Sequence, residues 1–248
     1  MTTKSAVVVA DVKLIHQAVP QITEALLAAR TITNMTIANL KTLTKKKKGA
    51  SQKTPCLLTL RIELAHTEIQ PVIWRRLEVD GRVSLGKLHH FIQAAFGWTD
   101  AHLHEFKMGE NTYGIPDPEN NFPDIPVKDE RKISLNQILA EEDTLIYTYD
   151  FGDNWEHVIT VESFTDELNS DPSGGAWVID GQRACPPEDV GGTGGYSDFL
   201  ETLLVTPHSD EAQELRDWVG GKFDPLHFDS RMANSAILRM LYNGWGGK

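Results

Sequence analysis

Cysteine is scarce in this 248-residue chain, which contains only Cys56 and Cys185. Two cysteines cannot build the multi-disulfide framework of a small secreted domain, and unpaired thiols suit a reducing compartment. Long apolar runs are also missing, since none approaches the ~20 residues of a membrane-spanning helix. The short apolar run at residues 6–10 is followed by charge, unlike a signal peptide. We therefore expect a cytoplasmic protein without a membrane partner.

Positive charge is sparse in most of the chain. Residues 1–54 carry nine Lys and Arg against two acids, a net charge of +7, whereas residues 55–248 carry 15 against 33, a net charge of −18. Nucleic-acid affinity depends on Lys and Arg that displace condensed counterions. The acidic body is therefore not expected to bind nucleic acid. The basic arm with its lysine run at residues 45–48 is the candidate, although such a run is also typical of a solvated linker.

The length and composition predict one main domain with an appendage. Hydrophobic residues make up 40% and charged residues 24%, as in ordinary globular proteins. Apolar or small residues recur at steps of three and four through residues 11–43, which predicts an amphipathic helix followed by a linker at 45–54. We divide the chain into a basic arm, residues 1–54, and a domain, residues 55–248. The arm's helix either packs on its own domain or pairs two copies as a homodimer.

The remaining patterns predict an α+β domain, with helices packed on a mainly antiparallel twisted sheet. Alternating apolar and polar residues predict strands, and residues 151–154 supply the turn of a hairpin. Ser84 and Gly97 are typical caps of a helix between them. The predicted strands are 57–64, 72–79, 102–108, 144–149 and 157–163, and the other predicted helices are 133–139, 198–204, 211–219 and 232–242.

Two segments crowd titratable groups around glycines: Tyr-Asp-Phe-Gly-Asp-Asn-Trp-Glu-His at residues 149–157 and Cys-Pro-Pro-Glu-Asp-Val-Gly-Gly at residues 185–192. A divalent metal needs three or four converging His, Cys, Asp or Glu ligands, which one hairpin and one stiff loop can deliver. We predict that the two segments meet. The candidate ligands of a metal such as zinc are His104, Asp150, Asp153, His157, Cys185, Glu188 and Asp189.

A purely structural interpretation of the same residues is also open. Asp150 and Asp153 would cap turn amides, His157 would hydrogen-bond within the sheet, and Cys185 would be a small buried apolar residue. A cysteine nucleophile is the weaker alternative, because the acids beside Cys185 would raise the pKa of its thiol. Aromatic residues beside glycine-rich turns also suit a pocket for a ligand or a peptide. The predicted pocket consists of Trp98, His102, Tyr149, Phe151, Trp155, Gly191 and Gly192.

Several motifs together resemble one known family. They are Pro-Val-Ile-Trp-Arg-Arg at residues 71–76, the segment from Leu88 to Trp98, His-Leu-His-Glu-Phe at 102–106, the two segments above, Phe-Asp-Pro at 223–225 and Phe-Asp at 228–229. Over residues 56–240 the chain resembles the plasmid pRiA-type Orf-three-like family, whose members are also known as insertion-element passenger or TnpR-like proteins. The resemblance implies an α+β domain and a regulator or accessory of mobile DNA.

The function expected from these observations is a binding or regulatory module. Its pocket would take a small ligand, a metal or a segment of a protein partner. A metal-dependent hydrolase of phosphate or amide bonds is one alternative. A DNA-associated regulator that acts through the basic arm is another. The residues alone do not decide whether the protein is an enzyme.

Overall fold

The computed structural model describes residues 56–65, 69–116, 126–165 and 175–244. The predicted N-terminal helix and its lysine-rich linker lie outside these residues, so they stay predictions. No helix within the described ranges is both long enough and apolar enough to cross a membrane.

The described residues form an eight-stranded sheet. Its strands are β1 (Leu57–Leu64), β2 (Trp74–Asp80), β3 (His104–Met108), β4 (Asn111–Gly114), β5 (Val127–Asp129), β6 (Thr144–Tyr149), β7 (Trp155–Thr165) and β8 (Ala176–Gln182). The spatial order is β5-β4-β3-β6-β7-β1-β2-β8. Neighbouring strands are antiparallel, except that β4 and β5 are parallel. The sheet is therefore mixed but mostly antiparallel.

Five α-helices accompany the sheet among the described residues: α1 (Leu85–Phe96), α2 (Leu135–Ile138), α3 (Gly192–Val205), α4 (Asp210–Trp218) and α5 (Ser230–Tyr242). A short 3-10 helix, Glu130–Lys132, precedes α2. Helix α5 packs against α1 and β8. The prediction of an α+β domain is confirmed, and the hairpin formed by β6 and β7 is present as predicted.

Helix α1 begins and ends at its predicted caps. The Ser84 side chain accepts a hydrogen bond from the Lys87 amide, and Gly97 adopts the left-handed conformation at φ 88°. A residue with a Cβ would be strained at that angle, which explains the glycine. The apolar face of α1 packs in the same core as every second residue of β1. These β1 residues, Leu58, Leu60, Ile62 and Leu64, are fully or almost fully buried. The turn at Gly97 then directs the chain towards β3.

Strands β4, β5 and β8 were not predicted from the sequence. Strand β8 places apolar residues on both faces, because Ala176 and Val178 are buried while Trp177 and Ile179 are partly exposed. Such a run lacks the alternation of apolar and polar residues that marks a half-buried strand. Strands β4 and β5 have only four and three residues, too few for a periodic pattern.

The edge strand β8 is protected by one side chain of α5. Asn234 is buried, accepts a hydrogen bond from the Val178 amide at 2.8 Å and donates one to the Val178 carbonyl at 2.8 Å. The side-chain amide thus pairs with the outer edge of the strand as another strand would. Unpaired edge groups invite pairing with a second chain, and this contact covers one pair of them.

We predict that Asn234→Leu lowers the free energy of unfolding by about 2 kcal/mol, since it leaves both polar groups of Val178 buried and unpaired. Urea unfolding measures the loss, and the exposed Asn243→Leu serves as the control with the same substitution. Equal losses in the two variants would contradict the role given to Asn234.

Candidate functional site

A connector, residues 98–103, joins α1 to β3 and lies against the hairpin. The Ala101 amide donates a hydrogen bond to the Tyr149 hydroxyl at 3.1 Å, and the Asp150 amide donates one to the Leu103 carbonyl at 2.9 Å. The Tyr149 hydroxyl and the Asp150 amide belong to the last residue of β6 and the first residue of the hairpin turn. The connector is therefore in register with the end of β6 although it is not itself a strand.

The loop of residues 185–191 also packs against the connector. The Trp98 indole donates a hydrogen bond to the Pro186 carbonyl at 3.0 Å. One carboxylate oxygen of Glu188 accepts hydrogen bonds from the Thr99 amide at 2.9 Å and from the Thr99 hydroxyl at 2.5 Å. These contacts fix the loop to the first two residues of the connector.

The loop also touches the hairpin turn directly. The Gly191 amide donates a hydrogen bond to the Asp153 carboxylate at 3.1 Å. A Cβ on Gly192 would lie 2.7 Å from the Asp153 carbonyl oxygen, and Gly192 has φ 68°. Only glycine fits this close approach without displacing backbone. The two motif segments thus meet, and we call their meeting place with the connector the junction.

The Tyr149 hydroxyl lies at the centre of the junction. It donates a short hydrogen bond to Glu188 and accepts the hydrogen bond from Ala101. Burial and the neighbouring Glu188 carboxylate raise the pKa of Tyr149 well above its ordinary value. The hydroxyl therefore stays protonated and links the connector, the hairpin and the loop.

One imidazole and two carboxylates converge at the junction. The distances from His102 Nε2 to Asp189 Oδ1 and to Asp150 Oδ2 are 3.1 Å and 3.7 Å. His102, Asp150 and Asp189 each offer one ligand atom, and these atoms lie within 4.8 Å of one another. Within the described ranges, His102 Nε2 is buried and has no hydrogen-bond partner.

The separations fit ligands around a cation. Donor atoms bound at ~2.0 Å in a tetrahedral site lie about 3.3 Å apart, close to the observed 3.1 and 3.7 Å. Two nearby carboxylates repel each other in a partly buried site, and a cation would offset that repulsion. A protonated His102 would offset it too, but its ring is not oriented for a hydrogen bond to either oxygen.

The residues that carry both carboxylates have left-handed backbone conformations, with Asp150 at φ 55° and Asp189 at φ 58°. Asp and Asn tolerate this conformation better than other residues that carry a Cβ. The Asp150 Oδ1 accepts a hydrogen bond from the Gly152 amide at 2.9 Å, which leaves Oδ2 on the side of His102. The side chain of Asp189 is 69% exposed, so one side of the group is open to solvent.

The other predicted ligands do not join this group. His104 pairs with the buried Glu130 at 3.0 Å, Glu188 is bound by Thr99 and Tyr149, and Asp153 by Gly191. His157 is fully buried, and its Nδ1 donates a hydrogen bond to the Trp155 carbonyl at 3.0 Å. The structural interpretation thus describes His157 and the turn amide capped by Asp150, whereas Asp153 accepts its hydrogen bond from the loop instead of from its own turn.

Cys185 is also separate from the group. Burial raises the pKa of its thiol far above the ordinary value, although the Arg75 guanidinium opposes the shift. Arg75 is itself buried between the rings of Phe96 and Phe228, and burial lowers its pKa to about 10. A protonated thiol is a poor nucleophile and a poor metal ligand. The alternative of a cysteine nucleophile therefore loses support.

The predicted pocket residues divide into two groups. Trp98, His102, Tyr149, Gly191 and Gly192 belong to the junction. Trp155 is in the core at 1% exposure, and Phe151 projects from the turn at 53% exposure. Two surface cavities of about 570 and 520 Å³ involve residues 179–181 with 227–231 and residues 207–216, and neither includes the junction. The junction is thus a polar contact region at the surface.

Sequence reasoning missed a second cluster beside the junction. It consists of His89, His90 and Asp100, whose ligand atoms also lie within 4.8 Å of one another. The His89 ring stacks on the His104 ring at 3.4 Å between centroids. The signal available in the sequence was weak, because His89 and His90 lie within a helical pattern and Asp100 follows a turn.

Comparison with known proteins confirms the resemblance drawn from the motifs. The model of the family described as plasmid pRiA4b ORF-3-like protein matches residues 57–232. The uncharacterized protein y4hQ of Sinorhizobium fredii (strain NBRC 101917 / NGR234) is 38% identical over 186 residues, which cover 73% of this chain and 88% of that protein. The crystal structure of a protein of unknown function, MM3350 from Methanosarcina mazei Go1, is similar with a TM-score of 0.62 and 31% identity. That match covers 73% of this chain and 98% of the other.

Buried His157 predicts a specific loss of stability in acid. Burial lowers its pKa from 6.5 to about 3. The unfolded chain therefore binds a proton at this residue between these two pH values, whereas the folded chain does not. The corresponding stability is complete above pH 6.5 and declines as the pH falls, by about 1.4 kcal/mol per pH unit.

We predict that, between pH 7.5 and 5.0, His157→Phe loses about 2 kcal/mol less stability than the unsubstituted protein, since Phe cannot titrate. Urea unfolding at both pH values measures the difference. An equally steep decline in the variant would show that His157 is not held neutral in the fold.

Proposed function

This chain belongs to the family of plasmid pRiA4b ORF-3-like proteins, and we propose that its domain is a binding module whose junction holds a divalent metal ion. The ligands are His102, Asp150 and Asp189. The observation that carries the proposal is the buried, unpartnered Nε2 of His102, which faces one oxygen of each carboxylate at 3.1 and 3.7 Å.

The mixed ligand set indicates the class of ion. One imidazole and two carboxylates suit a transition ion such as Zn²⁺ or Mn²⁺ better than Ca²⁺, which prefers six to eight oxygen ligands. The strongly acidic domain adds a long-range attraction for any cation. We take Zn²⁺ as the first ion to test.

The ion would connect three parts of the chain that are distant in sequence. His102 comes from the connector, Asp150 from the hairpin turn and Asp189 from the loop. An ion that binds only the folded arrangement stabilises it by mass action. Metal binding is therefore expected to stabilise the junction, which then presents the exposed face of Asp189 to a ligand or a partner segment.

A metal-dependent hydrolase is a second candidate, favoured by the openness of the ligand group. Three protein ligands leave a coordination position for water, as in catalytic zinc sites. The exposure of Asp189 leaves that position accessible from solvent. The other alternative, a DNA-associated regulator, depends on residues 1–54, which the structure does not describe.

We predict that Asp189→Asn weakens Zn²⁺ binding at least 10-fold, because it replaces a charged ligand by a neutral one. Asparagine tolerates the left-handed backbone of residue 189, so the fold should persist. Isothermal titration calorimetry on the metal-free full chain gives the affinity. The exposed Asp198→Asn is the matched control and should bind like the unsubstituted protein. Unchanged affinity in Asp189→Asn would refute the proposed ligand set.

We also predict that Tyr149→Phe weakens Zn²⁺ binding about 10-fold without removing a ligand. The missing hydroxyl removes one of the three hydrogen bonds that hold Glu188, which loosens the adjacent Asp189, and partners that orient metal ligands are typically worth 10–100-fold in affinity. Tyr196→Phe is the matched control, because the buried Tyr196 hydroxyl has no hydrogen-bond partner in the described parts of the chain. Equal affinities in the two variants would show that Tyr149 does not position the site.

A further inference from the structure

A second polar cluster lies where the connector meets α1, and it does not depend on the proposed function. Asp100 is two residues before His102 in the connector. The Asp100 amide donates a hydrogen bond to the Gln93 side-chain oxygen at 2.9 Å, and Asp100 adopts the left-handed conformation at φ 60°. Its carboxylate faces the imidazole rings of His89 and His90.

The hydrogen atoms of this cluster can be assigned from its donors and acceptors. The Gln93 side-chain nitrogen donates to the Tyr147 hydroxyl at 3.0 Å, so the hydroxyl hydrogen is free to point at His89 Nδ1, 2.8 Å away. Nδ1 then accepts, and the hydrogen of the neutral ring is on Nε2. His89 Nε2 therefore donates to Asp100 Oδ1 at 2.6 Å.

This assignment gives His89 an orienting role. If His89 Nε2 bound a metal instead, its hydrogen would move to Nδ1, and the buried Tyr147 hydroxyl would lose the acceptor it has in this chain of hydrogen bonds. A buried polar group without a partner costs about 1–3 kcal/mol. His89 is thus better suited to hold the Asp100 carboxylate, as residues behind metal ligands commonly do.

The second oxygen of Asp100 faces a different nitrogen. Asp100 Oδ2 lies 3.1 Å from His90 Nδ1. That nitrogen is buried, and it makes no hydrogen bond to any of the described residues. The side chains of His90 and Asp100 are 22% and 26% exposed, so the pair lies close to the surface. An imidazole nitrogen and a carboxylate oxygen at this spacing match the separation of two ligands on one ion.

We propose that His90 Nδ1 and Asp100 Oδ2 form a second divalent-metal site, with His89 as the residue that positions Asp100. The site takes a transition ion with a preference for imidazole, such as Zn²⁺, and water completes the coordination. With two protein ligands against three, it binds more weakly than the site of His102, Asp150 and Asp189. Together with the site proposed above, the domain would hold two ions, each with one ligand from the connector.

The test is a calorimetric titration of the metal-free full chain with Zn²⁺. The unsubstituted protein should show a tighter and a weaker binding event. His90→Ala should abolish the weaker event and leave the tighter one within twofold, whereas Asp189→Asn should do the reverse. Asp100→Asn keeps the shape of the side chain and suits the left-handed backbone, but it removes the charge and replaces one carboxylate oxygen by an NH2 group, so it should weaken the second event at least 10-fold.

The exposed His208→Ala is the control for adventitious binding by surface histidines and should change neither event. A weaker event that survives both His90→Ala and Asp100→Asn would overturn the second site, as would a single binding event in the unsubstituted protein that only Asp189→Asn removes. Loss of an event in His90→Ala together with no effect of Asp189→Asn would support the second site and refute the first. The two proposals can therefore fail separately.

Discussion

The hydrogen bonds of the Tyr149 hydroxyl are the interaction on which the junction depends. One atom donates to Glu188 of the loop and accepts from the Ala101 amide of the connector. Because Tyr149 ends the buried strand β6, its ring cannot move without disturbing the core. The hydroxyl thus fixes the loop and the connector, which have no regular secondary structure, to the sheet. Together with the two hydrogen bonds from Thr99 to Glu188, this connection holds Asp189 beside His102.

Charge explains why such an arrangement is useful to an acidic protein. The domain carries a large excess of carboxylates, and two of them, Asp150 and Asp189, lie close to the same nitrogen of one imidazole. Carboxylates that are brought together and partly removed from water are stable only if protons, cationic side chains or metal ions compensate them. Arg75 is buried among rings and carbonyl groups and does not serve this purpose. The proposed ion would supply the missing positive charge.

Sequence reasoning predicted the parts of the fold that depend on local patterns. The caps at Ser84 and Gly97 and the turn of the hairpin were identified because they depend on residues close in the chain. The meeting of the hairpin with the loop of residues 185–191 was inferred from composition, and the contact between Asp153 and Gly191 agrees with it. It was harder to predict which residues come together as candidate metal ligands. His102 joins Asp150 and Asp189, whereas His104, two residues away, pairs with Glu130, and this division depends on the register between the connector and β6.

Anomalous diffraction tests the central claim most directly. Crystals of the full chain grown with Zn²⁺, measured on either side of the zinc absorption edge, locate the ion without assumptions about its ligands. We predict a strong anomalous peak about 2.0–2.2 Å from His102 Nε2 and from one oxygen each of Asp150 and Asp189. A fully occupied zinc ion elsewhere, with none between these three side chains, would contradict it.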